Sequence, residues 1–192
     1  MVDPLAVARR WYEEALVAEV PEANAMALAT ADLDGRPCVR YLLFKSFDER
    51  GVSFHTNYAS RKGRELAANP RAALAVYWQP LGRQVRMEGT VERLAPEESD
   101  AYFATRPRES RIGAWASHQG SVLPSSEALQ ERVRELSERF GDEEVPRPEW
   151  WGGYLLRPDV IELWERRPER LHDRTHFGRL PDGGWEAVRL AP

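Results

Sequence analysis

The sequence predicts an α+β domain in which β-strands dominate, either a barrel or a sandwich with peripheral helices. Short apolar segments recur along all 192 residues, and hairpin signals such as Asp32-Leu33-Asp34-Gly35 and Asp182-Gly183-Gly184 separate several of them. Strands and helices do not alternate in a βαβ pattern and no G-x-G-x-x-G motif is present, so a dinucleotide-binding fold is not supported. Because we find neither an internal repeat nor a linker, we expect one domain over residues 1–192.

Elements in the N-terminal half follow from periodicity and turn residues. Residues 3–18 place Leu5, Ala8 and Tyr12 on one side of a helix. Apolar or alternating segments predict strands over residues 25–31, 36–45, 52–56, 72–78 and 83–94. Between the third and fourth of these strands, Ser60 is a typical helix N-cap, and Asn69-Pro70 would end that helix.

The C-terminal half is predicted to contain three helices followed by strands. Pro96 opens a helix that runs through Phe103, and a short helix follows near residues 109–116. Residues 125–140 form the clearest amphipathic helix, whereas the acidic, proline-rich segment 142–149 is typical of a loop. Strands are predicted over residues 153–156, 159–165, 171–179 and 184–190.

Composition excludes several classes of protein. Hydrophobic residues make up 42% of the chain, too many for a disordered protein, and the net charge of −4 offers no overall basic surface for nucleic acid. The single cysteine, Cys38, rules out an intrachain disulfide, and the histidines lack metal-ligand spacing, so we expect no metal. We see neither a signal peptide nor a membrane span, and therefore expect a cytoplasmic protein with no membrane partner.

The first candidate site is a cationic segment near the C-terminus. If residues 170–174 are extended, Arg170, His172 and Arg174 project to one face, because side chains alternate along a strand. Such a face could hold an anionic or carbonyl-bearing ligand. A charged edge strand that faces solvent has the same pattern, and these residues taken alone favour that interpretation.

Two further candidates lie in the N-terminal half. Arg61 and Lys62 follow Ser60 at a helix N-terminus, where the helix dipole favours negative charge. A bound anion such as phosphate would remove that conflict, but a solvated basic turn is equally compatible with these residues. Arg40 and Lys45 lie on the strand 36–45, where Lys45 ends an apolar run and either faces a cleft or extends to the surface.

The remaining candidates combine hydroxyl, guanidinium and amide groups. Tyr102, Arg106 and Ser110 would suit a second phosphate or a carboxylate, although an ordinary arginine-rich loop is slightly favoured without context. Gln84 and the segment 112–119 could bind the edge of a heteroaromatic ring, or could simply be core and surface residues. No serine lies in a G-x-S-x-G motif, so these signals together point to an organic cofactor that performs the chemistry.

Several motifs in order make the chain resemble the pyridoxamine/pyridoxine 5′-phosphate oxidase family of flavin enzymes. The similarity runs from about residue 3 to the end of the chain. It is carried most clearly by Arg40-Tyr-Leu-Leu-Phe-Lys45, Asn57 through Lys62, Arg106-Pro-Arg-Glu-Ser110, Ile112-Gly-Ala-Trp115 and Arg170-Leu-His-Asp-Arg174.

The resemblance implies an FMN-binding split β-barrel that forms a homodimer with two FMN molecules at the subunit interface. It implies FMN contacts from Arg40, Tyr41, Leu42, Leu43, Phe44, Lys45, His55, Thr56, Arg61, Lys62, Gln84, Gln119, Gly120, Trp164 and Arg174. It also implies a set of substrate-binding residues: Lys45, Tyr102, Arg106, Ser110, Arg170, Leu171 and His172. Arg170 and His172 would be the catalytic pair that orients the substrate's C4′ carbon toward flavin N5.

The reaction implied by the resemblance is oxidation of pyridoxamine or pyridoxine 5′-phosphate to pyridoxal 5′-phosphate, with O2 reduced to H2O2. Two alternatives stay open: a related flavin oxidase of the phenazine-pathway type, and a flavin- or pyridoxal-phosphate-binding protein with little turnover. The chain departs from the family pattern at His55, where Tyr is frequent, and at Gly120, where Ser is common. It also begins close to its first helix, so we do not expect the N-terminal arm that covers the substrate in some members.

Overall fold

The computed structural model describes residues 2–192 and contains eight strands and five α-helices in that range. The strands are β1 (Ala25–Ala31), β2 (Pro37–Asp48), β3 (Gly51–Asn57), β4 (Arg71–Trp78), β5 (Arg83–Arg93), β6 (Trp151–Glu165), β7 (Asp173–Arg179) and β8 (Trp185–Arg189). The helices are α1 (Pro4–Val17), α2 (Arg61–Ala68), α3 (Pro96–Ala104), α4 (Arg108–Ala116) and α5 (Ser126–Phe140). The α+β, mostly β class predicted from the sequence is confirmed.

The eight strands form one sheet in which six strands close into a barrel. The strand order is β3-β2-β1-β4-β5-β6-β7-β8, and an additional pairing of β3 with β6 closes the barrel. All of these pairings are antiparallel, so short hairpin turns suffice for most connections. Strands β7 and β8 extend the sheet beyond the barrel.

Alternating side chains divide the barrel into a packed interior and an outer face. Phe44, Phe54, Met87 and Ile161 are completely enclosed in the interior. On the other side of β2, the apolar residues Val39, Tyr41 and Leu43 are 68%, 79% and 42% exposed. Small side chains of β1 lie beside them, because Ala27 pairs with Tyr41 and Ala29 pairs with Val39. The barrel therefore carries an apolar outer face, made by β1 and β2, that its own chain leaves open.

Helix α2 begins where the sequence predicts, and α1 begins one residue later than predicted, at Pro4. The side chain of Asp3 accepts a hydrogen bond from the Leu5 amide at 3.0 Å, and the Ser60 hydroxyl accepts one from the Gly63 amide at 3.3 Å. These N-cap bonds satisfy amides that the first helical turn leaves free. Helix α1 then buries Leu5, Ala8 and Trp11 against the barrel.

The prediction of separate strands at 153–156 and 159–165 is wrong, because β6 runs unbroken through Pro158. The pairing with β5 shifts by one residue between Glu88 and Gly89, so Asp159 bulges out and Pro158 needs no ladder amide. Gly89 makes room for this bulge, since a Cβ there would lie 2.0 Å from the Arg157 carbonyl oxygen. Gly51 does the same from β3, with the Leu156 carbonyl oxygen 1.9 Å from a Cβ at that position.

The prediction of a strand over residues 171–179 is wrong at its start. Strand β7 begins at Asp173, and Pro168–Arg170 form a single 3₁₀ turn. Arg170 has a positive φ of 62°, so Arg170, His172 and Arg174 do not alternate along one extended strand. The strand predicted over 36–45 also proves longer and continues to Asp48.

Helix α5 has the predicted position, but none of its side chains is fully buried. It packs on α4, where the Phe140 ring lies 5.7 Å from the Trp115 ring. No helix among residues 2–192 has the length and apolar character needed to cross a membrane.

Candidate active site

The first group of functional side chains surrounds Lys62 and is called the Lys62 cluster: Thr56, Ser60, Lys62 and Gln119. Lys62 is only 7% exposed, and its Nζ donates to Thr56 Oγ1 at 3.1 Å, Ser60 Oγ at 3.1 Å and Gln119 Oε1 at 2.8 Å. Thr56 comes from the end of β3, and Ser60 and Lys62 come from the start of α2, so the turn between these elements builds the cluster.

Lys62 is a buried cation that forms no ion pair among the described residues. Burial lowers the pKa of its ammonium group to about 8, and the nearby Arg40 charge adds to this effect. An uncompensated buried charge is costly, whereas an anion bound at the helix N-terminus would relieve the cost. The structure therefore favours the anion-binding interpretation of Ser60-Arg61-Lys62 over a solvated turn.

Two arginines beside Lys62 share one buried carboxylate. Glu65 is 6% exposed and accepts hydrogen bonds from Arg61 Nε at 2.7 Å, Arg40 Nη2 at 3.2 Å and the Thr30 hydroxyl at 2.5 Å. With Lys62, these groups sum to three positive charges and one negative charge. The surplus of two positive charges matches a phosphate dianion.

The second group is called the Arg106 cluster: Lys45, His55, Tyr102, Arg106 and Trp151. The His55 ring lies 4.1 Å from the Tyr102 ring and 5.3 Å from the Trp151 ring, nearly parallel to both. The Arg106 guanidinium lies 4.7 Å from the centre of the Trp151 ring, and Lys45 Nζ lies 5.7 Å from the centre of the Tyr102 ring. Two cations thus flank one aromatic stack.

The charges in the Arg106 cluster are also uncompensated. Arg106 forms no ion pair, its Nη1 is buried without a hydrogen-bond partner among residues 2–192, and burial lowers its pKa. Burial, followed by the charges of Lys45, Arg106 and Arg147, lowers the pKa of His55 to about 4, against an opposing effect of Glu98. His55 is therefore neutral at neutral pH, and its two buried ring nitrogens have no partner in the described chain.

A cleft of about 290 Å³ connects the two clusters. Its lining includes Arg106 and Trp151 of the Arg106 cluster and Gln119 of the Lys62 cluster, together with Ser110 and Asn57. Gln119 bonds directly to Lys62, so the cleft extends from one cationic group to the other. The chain contains only two lysines, Lys45 and Lys62, and each belongs to one of these groups.

A third group, called the Trp164 cluster, comprises Tyr77, Gln84, Trp164 and His172. Tyr77 pairs with Gln84 across β4 and β5, and Gln84 pairs with Trp164 across β5 and β6. The His172 ring lies 4.5 Å from the Trp164 ring, and the Tyr77 ring lies 6.2 Å from it. The Tyr77 ring meets the Trp164 ring edge-on at 76° and the His172 ring is tilted from it by 46°, so the cluster offers aromatic faces and edges beside one amide.

Arg174 lies beside the Trp164 cluster and is held by Glu162. Arg174 donates to Glu162 through Nε at 2.8 Å and Nη2 at 3.1 Å. The hydrogen bond from Arg174 is the main cause of the lowered pKa of this buried carboxylate. Because Nη1 also bonds the Ala191 carbonyl, all three donor nitrogens of Arg174 have partners within the chain.

The predicted residues therefore fall into separate groups. No hydrogen bond, ion pair or ring contact within residues 2–192 joins the Trp164 cluster to the other two clusters. Arg170 and Leu171 project into solvent from the 3₁₀ turn. The Phe44 side chain lies in the barrel core, so only its backbone remains available to a ligand. Gly120, in an exposed loop with a φ of 89°, lies next to Gln119 in the chain.

Sequence reasoning missed several residues of these sites, among them Glu65, Glu162 and Trp151. Glu65 follows Arg61 by four residues on α2, a spacing that permits an ion pair and could have identified it. Glu162 precedes Trp164 by two residues, which places both on one face of β6. No local signal identifies Trp151, whose contact with His55 depends on the pairing of β3 with β6.

Comparisons with known proteins agree with this architecture. Residues 12–140 match the family model described as pyridoxamine 5′-phosphate oxidase. The chain belongs to the pyridoxamine 5′-phosphate oxidase family. Residues 151–192 match the model described as the pyridoxine 5′-phosphate oxidase C-terminal dimerisation region, which includes the Trp164 cluster residues Trp164 and His172.

Individual relatives of this oxidase family are similar over nearly the whole chain. The chain is 54% identical to the pyridoxine/pyridoxamine 5′-phosphate oxidase of Cupriavidus taiwanensis and 56% identical to that of Rubrobacter xylanophilus. Both alignments cover 99% of this chain, with 89% and 87% of the respective relatives.

Solved structures share the fold. PhzG from Burkholderia lata, in complex with tetrahydrophenazine-1-carboxylic acid, matches with a TM-score of 0.94 at 37% identity, over 99% of this chain and 93% of that one. An FMN-binding protein from Nostoc punctiforme related to pyridoxamine 5′-phosphate oxidase matches with a TM-score of 0.79 at 20% identity, over 100% of both chains. The second match supports the fold alone.

Proposed function

We propose that the protein oxidises pyridoxamine 5′-phosphate and pyridoxine 5′-phosphate to pyridoxal 5′-phosphate, with FMN as cofactor and O2 as the acceptor that becomes H2O2. The observation that carries this proposal is a pair of cations without a carboxylate partner among residues 2–192: the buried Lys62 and the half-buried Arg106, whose Nη1 is enclosed. The cleft between their clusters could accommodate two phosphoryl groups, and FMN and the substrate each supply one.

The Lys62 cluster fits the phosphate of FMN. Its buried ammonium group, the hydroxyls of Thr56 and Ser60 and the start of α2 converge on one point, and Arg40 and Arg61 supply the remaining positive charge. When bound, FMN would accept the hydride from the substrate and pass its electrons to O2. The protein would hold this cofactor at its phosphate through charge and at its ring through Gln84 and Trp164.

The Arg106 cluster fits the phosphate of the substrate. Lys45 and Arg106 supply the positive charge, and the hydroxyls of Tyr102 and Ser110 supply neutral donors. Anchoring the phosphate fixes the distance and orientation of the reacting C4′ carbon, which is the main contribution that the protein makes to a hydride transfer. Arg170 and His172 would cover the pyridine ring, with Arg170 stabilising the developing charge.

A homodimer would bring the separate groups together. Within residues 2–192, no hydrogen bond, ion pair or ring contact joins the Trp164 cluster to the Lys62 and Arg106 clusters, and Trp164 and His172 lie in the region that matches a dimerisation model. The apolar outer face of β1 and β2 offers a surface for a second copy. We infer that one subunit supplies Lys62 and Arg106, and that the other supplies Trp164, Arg170 and His172.

The second candidate is a flavin oxidase of the phenazine type, which the similarity to PhzG keeps open. A tricyclic carboxylic acid brings one negative charge where a phosphate dianion brings two, so it would leave one of the two positive charges of Lys45 and Arg106 uncompensated. The intact Arg106 cluster therefore favours the phosphorylated vitamers.

The test is anaerobic mixing of the FMN-loaded protein with pyridoxamine 5′-phosphate while the visible absorbance of the flavin is followed. We expect bleaching, and recovery of colour with peroxide formation when air is admitted. Unphosphorylated pyridoxamine should react far more slowly, and Arg106→Leu should remove most of this preference. Arg132→Leu, at an exposed position on α5, is the matched control and should behave as the native protein.

A flavin that stays oxidised with both phosphorylated vitamers would refute the proposal. Bleaching by tetrahydrophenazine-1-carboxylic acid instead would establish the second candidate. Equal rates with pyridoxamine and its phosphate would show that the Arg106 cluster does not bind the substrate phosphate.

A further inference from the structure

The loop that carries Arg170 and His172 has an unusual backbone. Glu169 and Arg170 have φ values of 58° and 62°, and neither is glycine. Side chains with a Cβ rarely occupy this left-handed region, and two in succession persist only where the surroundings determine them. The Leu171 amide closes the turn by donating to the Pro168 carbonyl at 3.1 Å.

Arg167 fastens the base of this loop through its side chain. Glu165 and Asp173 face each other across β6 and β7, a like-charge pair that would repel if left alone. The Arg167 guanidinium donates through Nε to Asp173 Oδ2 at 2.7 Å and through Nη2 to Glu165 Oε2 at 3.1 Å. One guanidinium thus joins the last residue of β6 to the first residue of β7.

The backbone of Arg167 contacts His172 directly. Its amide donates to His172 Nδ1 at 3.1 Å. An amide N–H can only donate, so Nδ1 must be the ring nitrogen without a proton. Rotating the ring by 180° would place a C–H against the amide instead. The neutral ring therefore carries its proton on Nε2, which has no hydrogen-bond partner among residues 2–192.

We infer that Arg167 is a positioning residue that fixes His172 as its Nε2-protonated tautomer. In this form His172 offers a hydrogen-bond donor to an oxygen on the edge of the bound ring and does not act as a base at that atom. The role assigned to the bound ring depends on the proposed function, whereas the tautomer and its dependence on Arg167 do not.

The test is ¹⁵N NMR of the histidine ring nitrogens at about pH 8, where an unperturbed histidine is neutral. A His172→Gln variant assigns the His172 signals among the four histidines. We expect a pyridine-type Nδ1 and a pyrrole-type Nε2 in the native protein. In Arg167→Ala both shifts should move toward the averaged values of free imidazole, and kcat/KM should fall by about three- to tenfold.

Two further variants separate positioning from general damage. Arg167→Lys keeps one of the two ion pairs and should restore part of the native spectrum. Arg179→Ala, on β7 but away from the loop, should leave the His172 signals unchanged. If Arg167→Ala does not fold, Asp173→Asn removes one of the same ion pairs and should shift the signals in the same direction.

A native His172 with its proton on Nδ1 would overturn the inference, as would unchanged His172 signals in Arg167→Ala. If the NMR result is as expected but the flavin is not bleached by either vitamer, the inference about Arg167 stands and the proposed function fails. If the vitamers are oxidised but His172 carries its proton on Nδ1, the proposed function stands and the inference about Arg167 fails.

Discussion

Replacing Lys62 with methionine should make the flavin-free protein more stable and FMN binding weaker. Lys62 is 7% exposed, and no carboxylate forms an ion pair with it in the described structure. Methionine has a similar length and no charge, so it can fill the space without the cost of burying an ammonium group. The two effects have opposite signs, which distinguishes a ligand-binding charge from an ordinary structural residue.

The size of the stabilising effect follows from the pKa. Burial, with the Arg40 charge, lowers the pKa of Lys62 from 10.5 to about 8. Each unit corresponds to 1.36 kcal/mol, giving an upper limit of about 3 kcal/mol. Screening by water in the open cleft and the hydrogen bonds from Nζ to Thr56, Ser60 and Gln119 reduce the expected gain to about 1–2 kcal/mol.

The loss of FMN affinity should exceed this gain. Removing one member of a buried, hydrogen-bonded charge pair typically costs 2–5 kcal/mol, so the Kd for FMN should rise by about 30-fold or more. Riboflavin has no phosphate, and its Kd should change by less than about threefold. Arg64→Met, two residues further along α2, removes an exposed cation. It should change neither the free energy of unfolding nor the Kd for FMN appreciably.

Two assays check this prediction. Urea unfolding of flavin-free protein, followed by tryptophan fluorescence, gives the free energy of unfolding, and quenching of flavin fluorescence gives the Kd values for FMN and riboflavin. If Lys62→Met destabilises the flavin-free protein by 1 kcal/mol or more, or if it binds FMN as tightly as the native protein, the reasoning about the uncompensated charge is wrong.

The remaining predictions concern pH, packing and the catalytic loop. The pKa of Lys62 is about 8 in the folded protein and 10.5 in the unfolded chain, so the unfolded chain binds more protons between these pH values. The free energy of unfolding of the flavin-free protein should therefore rise from pH 8 to pH 10.5. FMN affinity should fall above about pH 8, as Lys62 loses its charge. The pKa of His55 is about 4 in the folded protein and 6.5 in the unfolded chain, so the free energy of unfolding should fall as the pH drops from 6.5 to 4. In His55→Phe the free energy of unfolding should depend less on pH over this range. Gly89→Ala should cost about 3 kcal/mol in urea unfolding through the clash with the Arg157 carbonyl, whereas Gly178→Ala, which has open space, should cost less than about 1 kcal/mol. Glu169→Gly should raise the free energy of unfolding by about 0.5–1 kcal/mol by relieving a positive φ, and lower stability would show that the turn is unstrained.

Local chemistry made most of the elements predictable. The bounds of β1 follow from its apolar run and the N-cap of α2 follows from Ser60, and neither depends on distant residues. Strand β6 was not predictable in this way, because Pro158 ordinarily marks a break. It continues only because Gly51 and Gly89 on two neighbouring strands admit the bulge, and that relation exists only in the folded sheet.

The candidate site also contains residues that local signals identify and residues that only the fold identifies. Lys62 was identified from its helix N-terminus, but its burial and its bond to Gln119, 57 residues away, required the fold. Arg170 and His172 were expected on one face of an extended strand, and the two positive φ values that place them in a turn have no signature in the sequence. Glu65 and Glu162, which hold the arginines, are ordinary acidic residues until their burial is known.

The positions of the primary amines in this protein allow the occupancy of its two proposed phosphate sites to be measured. Apart from the terminal amino group, Lys45 and Lys62 are the only amines among its 27 lysine and arginine residues, and they lie in the two clusters that line the cleft. Amine-directed acylation followed by mass spectrometry therefore has only two side-chain targets, the exposed Lys45 and the slower-reacting, largely enclosed Lys62, and leaves the arginine-covered surface untouched. Protection of Lys62 by FMN and of Lys45 by a phosphorylated vitamer would read the two binding events separately in a single sample.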